Sequence, residues 1–118
     1  MISVIMSAYQ EDLSVFVPAV TSILDQKGPS FELILVLDDP ENTELASWVD
    51  ENLLSDDRVR VLRNKNNLGL AQSLNRAIEN ASGDFLCRMD ADDIAEPHRL
   101  EKQLSYLREH CLLYTSPS

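Results

Sequence analysis

The stretch Leu33-Ile34-Leu35-Val36-Leu37-Asp38-Asp39-Pro40 sets an unbroken aliphatic run against two carboxylates and a proline. The run has strand length. Because it is continuous rather than alternating, it fits a strand buried on both faces, as in a parallel sheet. Asp38-Asp39-Pro40 ends it. Upstream, Ile2 to Ser7 is a short β-branched run and reads as another buried strand. Leu13, Phe16, Val17, Val20, Ile23 and Leu24 then recur at helical spacing, with Ser14 the expected cap and Pro18 in a tolerant first turn. Lys27-Gly28-Pro29 stops that helix. Downstream, Leu45, Trp48, Val49 and Leu53 mark a second helix, and Val59 to Leu62 a third strand.

Asn64 to Gly69 is a loop by composition. Leu70, Leu74, Ala77, Ile78 and Ala81 trace a third helix, ended by Ser82-Gly83, and Phe85 to Met89 is a fourth strand. Pro97 suits the first turn of a fourth helix, with Leu100, Leu104 and Leu107 on one side. Strand and helix thus alternate along the whole chain. The pattern predicts an α/β fold: a Rossmann-like, open, mostly parallel sheet with helices on both faces, built from right-handed βαβ units.

The chain has 118 residues, enough for one small domain, and 44% of them are hydrophobic. No apolar run approaches the ~18 residues of a membrane span, and no basic flank precedes Ile2 to Met6. The expectation is a cytoplasmic protein, with membrane association left open for a longer form. A net charge of −10 excludes a broad nucleic-acid footprint. Cys87 and Cys111 form no metal pattern, and Cys87 is expected as a buried, reduced thiol. His98 and His110 read as solvated helix residues. The final CLLYTSPS breaks the pattern. Residues 1–110 are therefore expected as the folded part, and 111–118 as a non-native or disordered tail.

In an open α/β sheet, ligands sit at the carboxyl ends of the strands. Three distinctive stretches fall there: Ser7-Ala8-Tyr9-Gln10-Glu11, Asp38-Asp39 and Asp90-Ala91-Asp92-Asp93. A plain alternative is that these acids cap the following helices, but a cap needs one carboxylate. Three so close repel one another, and a divalent cation is the first candidate to offset that cost. Mg²⁺ or Mn²⁺ takes oxygen ligands, often one or two carboxylates plus substrate phosphates. Extended backbone would point Asp90 and Asp92 to opposite faces, so a turn is needed to bring both to one ligand. Such a site would let an acidic chain hold a diphosphate.

In order, SVIMSAY, ELILVLDDP, NLGLAQSLNRAIENASGDFLCRMDADD and PHRLEKQL closely resemble the N-terminal half of the inverting family-two glycosyltransferases, over residues 1 to about 110. The resemblance implies the GT-A fold and sugar transfer from a nucleotide diphosphate sugar, a UDP-sugar above all, to a glycan or other acceptor hydroxyl. It implies that Ala8 and Tyr9 line the base pocket and that Asp38 or Asp39 accepts a hydrogen bond from the base. Asp90 would lie near the ribose and metal, Asp92 would be the main ligand of Mn²⁺ or Mg²⁺, and Asp93 would orient its neighbours. Arg88 is read either as a partner of one of these carboxylates or as a solvent-facing strand residue. The general base of an inverting transfer belongs to the second half of such enzymes. A donor-binding half-site with little or no transferase activity is therefore expected, with an unpaired sheet edge that invites self-association.

Other readings are weaker. A nucleotidyltransferase would want a Gly-rich, basic loop where Ser7 to Glu11 stands. A receiver domain would want an acidic pair where Gln10-Glu11 stand and a phosphorylatable aspartate where Asn64-Lys65 stand. A non-catalytic fragment that keeps only the fold is separated from a competent donor site by nucleotide binding.

Overall fold

The structure, a computed structural model, describes residues 1–109. Strands and helices alternate as β1 (Ile2–Ala8), α1 (Leu13–Leu24), β2 (Phe31–Leu37), α2 (Thr43–Asn52), β3 (Val59–Arg63), α3 (Leu70–Glu79), β4 (Phe85–Arg88) and α4 (Arg99–Glu109). The strands form one sheet in the order β3-β2-β1-β4, and every pair is parallel. The expected α/β architecture is the observed one.

Register explains the continuous run in β2. Val4 lies opposite Leu33 on one side and Cys87 on the other, and Leu35 opposite Val61. Val4, Met6, Leu33, Leu35 and Leu37 therefore share one face. There they pack with Phe16, Val20 and Ile23 of α1, Leu45 and Val49 of α2, and Leu100 of α4. Ile5, Ile34 and Val36 point to the other face and pack with Ala77 of α3, joined by Leu62, Leu74 and Leu86. Alternate residues of β2 thus serve two cores, so no polar position is tolerated between Leu33 and Leu37. Each such aliphatic side chain stabilises the fold by about 1.5–3 kcal/mol on full burial. An edge-to-face contact between Phe16 and Trp48, centroids 5.8 Å apart, joins α1 to α2.

Several local details differ from the sequence reading. Asp12, in extended conformation, is the N-cap of α1, so Ser14 lies inside the helix and Pro18 falls in its second turn. A proline there withholds a helical N–H. The helix persists because Phe16, Ala19, Val20 and Ile23 are buried on one face while Pro18 points to solvent. Leu70 opens α3 but is 51% exposed, and Ser73 takes an interior position with no exposure at all. α3 ends at Glu79 with Asn80 as its C-cap, before Ser82-Gly83. β4 stops at Arg88, and Pro97 precedes α4 rather than entering it. Cys87 is buried and free, with its thiol donating to Gln103 Oε1 at 2.8 Å; burial pushes its pKa up. The side chain of Leu107, together with His110, Cys111 and the boundary expected after residue 110, lies outside the described residues. Among the described residues no helix is long and apolar enough to cross a membrane.

At the amino end of the sheet the polar groups close on themselves. Ser3 Oγ donates to Glu32 Oε2 at 2.6 Å, and Gly83 N–H donates to Ser3 Oγ at 2.7 Å. A Cβ at Gly83 would meet Ser3 Oγ at 2.6 Å and the Met1 carbonyl at 2.7 Å, so glycine alone fits. The carboxyl end is different. The chain leaves β1 toward β2 and β3, then returns to place β4 on β1's other side. In open α/β sheets ligands sit where the strand order reverses, which here is the carboxyl ends of β1 and β4.

Candidate functional site

The parallel sheet delivers the ends of β1, β2 and β4 to one edge. Ala8, fully buried, ends β1, and Tyr9 follows it at 38% exposure. Tyr9 N–H donates to Glu11 Oε2 at 2.6 Å, and its carbonyl accepts from Asn42 Nδ2 at 2.9 Å. Asn42 Oδ1 also accepts from Leu45 N–H, which caps α2. One side chain therefore ties the loop after β1 to the start of α2. Sequence reading missed Asn42, although its place just ahead of an amphipathic helix is a cap signal.

Asp38 and Asp39 are adjacent in sequence and opposite in circumstance. Asp38 is 2% exposed, and its carboxylate accepts four hydrogen bonds. Oδ1 accepts from Asn64 Nδ2 at 2.7 Å and Leu68 N–H at 2.8 Å. Oδ2 accepts from Gly69 N–H at 3.0 Å and Asn67 Nδ2 at 3.1 Å. Burial alone would raise its pKa. Bonds from the Leu68 amide, the Asn64 side chain and the Gly69 amide outweigh that and hold it below the ordinary value. Asn64 in turn donates to the buried Ser73 Oγ at 2.9 Å and accepts from Arg76 Nη1 at 2.6 Å. The segment read as a plain loop is thus one half of a clamp that joins the end of β2 to the start of α3. Gly69 makes the turn possible with φ +88°, a left-handed value that side chains resist.

Asp39 is half-buried, and its Oδ1 accepts from Glu41 N–H at 2.9 Å. No donor among the described residues meets its Oδ2. It lines a hollow of about 240 Å³ with Gln10, Glu11 and Asn42, between the loops that follow β1 and β2.

Beyond β4 the chain turns. Met89 N–H bonds the Ile5 carbonyl at 3.0 Å, and Asp93 N–H bonds the Asp90 carbonyl at 3.2 Å. Ala91, 2% exposed, plugs into the core between them. Asp90, Asp92 and Asp93 are all exposed, and one oxygen of each lies within 4.8 Å of the others. The turn gathers carboxylates that an extended strand would separate. Arg88 meets Asp90 Oδ1 through Nη2 at 3.2 Å and Nε at 3.3 Å. Three convergent, oxygen-only, solvent-facing ligands suit a hard divalent cation whose remaining positions are filled by water and phosphate. The residues present therefore fit Mn²⁺ or Mg²⁺.

Comparison with known proteins gives the family and the fold. The family profile described as "Glycosyl transferase family 2" matches residues 3–117. The uncharacterized glycosyltransferase MJ1057 of Methanocaldococcus jannaschii is 36% identical over 110 residues, covering 93% of this chain and 38% of that protein. The O-antigen biosynthesis glycosyltransferase WbnJ of Escherichia coli is 34% identical over 113 residues, covering 95% of this chain and 43% of that protein. The chain thus spans well under half the length of these curated relatives. Among solved structures, S. aureus TarS 1-349 in complex with UDP-GlcNAc superposes with a TM-score of 0.75 at 24% identity, covering 93% of this chain and 32% of that one. That likeness establishes the shared fold.

Proposed function

The chain belongs to glycosyl transferase family 2, and on that premise we propose that it is the donor-binding part of a metal-dependent enzyme that transfers a sugar from UDP to an acceptor hydroxyl with inversion. The observation that carries this reading is the pairing, at one sheet edge, of an Asp39 oxygen without a donor and a convergent acidic turn. Asp39 accepts the imide N–H of uracil, a donor that a carboxylate suits. Asp38, with its lone pairs taken, holds the platform on which Asp39 stands. Ala8 and Tyr9 flank the base. Asp92 and Asp90 hold the cation, and Asp93 keeps the turn closed through its backbone amide. When bound, the divalent cation offsets the charge that builds on the departing diphosphate. The acceptor site and the general base lie outside these 118 residues, so this chain binds donor without transferring it. In support, it spans 38% of its M. jannaschii relative.

Calorimetric titration of UDP, with Mn²⁺ or with a chelator, tests the reading on wild type, Asp39→Ala and Asp92→Ala, with circular dichroism as the folding control. Wild type should bind UDP more tightly with Mn²⁺, and Asp92→Ala should lose that increment. Asp39→Ala should weaken binding about tenfold or more, the cost of a hydrogen bond to a charged group. A folded wild type that ignores UDP would overturn the proposal.

We also propose self-association through the outer edge of β4. That edge offers Phe85, Leu86 and Cys87 beside a groove of about 390 Å³ shared with Leu104 of α4. The opposite edge, β3, carries Arg60 and Arg63, which discourage strand pairing. A monomer by light scattering at high concentration would remove this part.

A further inference from the structure

The acidic turn is held at its far end from a distant helix. After Asp93 and the 71%-exposed Ile94, the chain re-enters the body at Ala95, whose N–H donates to Ser22 Oγ of α1 at 2.9 Å. Ser22 Oγ donates onward to the Ala19 carbonyl at 2.6 Å, which fixes the hydroxyl's direction. One turn later Gln26 does more. Its Nε2 donates to the Glu96 carbonyl at 2.6 Å and to the Ser22 carbonyl at 3.2 Å, while Oε1 accepts from Leu100 N–H at 3.0 Å. Leu100 sits in the first turn of α4, so Gln26 caps that helix from outside it. Lys27 N–H adds a bond to the Pro97 carbonyl at 2.9 Å. Asp90 to Ile94 is therefore suspended between two fixed points: Met89, bonded to Ile5, and Ala95, bonded to Ser22.

We propose that Ser22 and Gln26 are positioning residues for the acidic turn, setting from the C-terminal end of α1 and the residues just after it the spacing at which Asp90 and Asp92 meet a divalent cation. The inference rests on the metal reading above. Neither residue touches the cation. They act by denying the turn the freedom to splay, as partners beyond the ligands do in metal sites, where their loss costs about 10–100-fold in affinity.

The test is a Mn²⁺ titration followed by electron paramagnetic resonance on the 118-residue chain, for wild type, Ser22→Ala, Ser22→Thr and Gln26→Met. Alanine is the better helix former, so a loss in Ser22→Ala cannot be a loss of helix propensity. Ser22→Ala and Gln26→Met should each weaken Mn²⁺ binding about tenfold, and Ser22→Thr, which keeps the hydroxyl, should restore it. Ala77→Gly, on the opposite face, supplies a destabilised control whose Mn²⁺ affinity should stay at the wild-type value. Wild-type affinity in both Ser22→Ala and Gln26→Met would overturn the inference. If wild type itself binds no Mn²⁺, the metal reading falls. Amide exchange at Asp93 then decides the inference: faster exchange in Gln26→Met supports the latch, and unchanged exchange removes it.

Discussion

Asp38 and Asp92 both follow a buried strand at the same edge of the sheet, yet their surroundings are opposed. Asp38 is 2% exposed with four donors on its carboxylate. Asp92 is exposed, within 4.8 Å of two other carboxylates. The difference teaches that exposure is the lesser criterion and lone-pair occupancy the greater. A carboxylate whose acceptor sites are filled by its own chain contributes to the fold. One whose sites are open, among like charges, is free to meet a ligand. Asp39 sits between these extremes, with one oxygen engaged and the other open.

The sharpest way to break this contrast is Asp38→Ala. It strands two backbone amides and two side-chain amides, and at ~1–3 kcal/mol for each unsatisfied donor, less where water reaches, the loss should be about 3 kcal/mol. Urea denaturation would read it, and a loss under about 1 kcal/mol would contradict the clamp. Protonation is a gentler cut. The folded pKa of Asp38 lies below its ordinary 3.8, so its contribution is complete above pH 3.8 and fades as pH falls through the lower, folded value. Asp56 is also lowered, mainly by the Arg58 side chain, so its contribution too is lost only below the ordinary carboxylate value. Comparing acid unfolding of Asp38→Asn with that of Asp56→Asn separates the two, and Asp38→Asn should flatten the acid limb.

Next in size is Gly69→Ala. Nothing lies within 4 Å of the new Cβ, so the cost is backbone strain alone, about 1–3 kcal/mol by urea denaturation at φ +88° and ψ 165°, a conformation almost confined to glycine. The smallest effect belongs to Asp92→Ala, which should leave stability within about 0.5 kcal/mol of wild type. A substantial loss there would mean that the acidic turn is structural and that the contrast with Asp38 is false.

The layout was legible where the signal is local. The continuous Leu33 to Leu37 run announced a doubly buried strand, and Asp90-Ala91-Asp92-Asp93 announced a turn of convergent acids, because each needs only its own neighbours. Distinguishing Asp38 from Asp39 was beyond the sequence, since the deciding donors come from Asn64, Asn67, Leu68 and Gly69. Ser22 and Gln26 were silent for the same reason, since their partners lie far along the chain, whereas Asn42 carried a local cap signal that went unread. Leu70, read on the apolar face of the third helix, misled in a different way: the interior position belongs to Ser73. A hydroxyl inside α3 breaks the apolar stripe, but Asn64 requires an acceptor there, and Leu70 turns outward instead. Pro18 misled because Ser14 was read as the cap, whereas the helix begins two residues earlier, after Asp12, which makes no side-chain cap bond.

The sheet order also bears on how the protein is made. β1 precedes its neighbours in the chain but lies between them, with Ile2 paired to Phe31 on one side and to Phe85 on the other. During synthesis β1, α1 and β2 can close as a unit while β4 has yet to emerge. Until it does, one side of β1 is an open edge, a state exposed to aggregation and to chaperones. Pairing β4 with β1 is the most distant strand contact and on that ground the slow step. Only then is Met89 anchored and the acidic turn drawn taut against α1. If the acidic turn takes up a cation as proposed, that uptake would follow the pairing of β4 with β1 and would report it in a nascent chain.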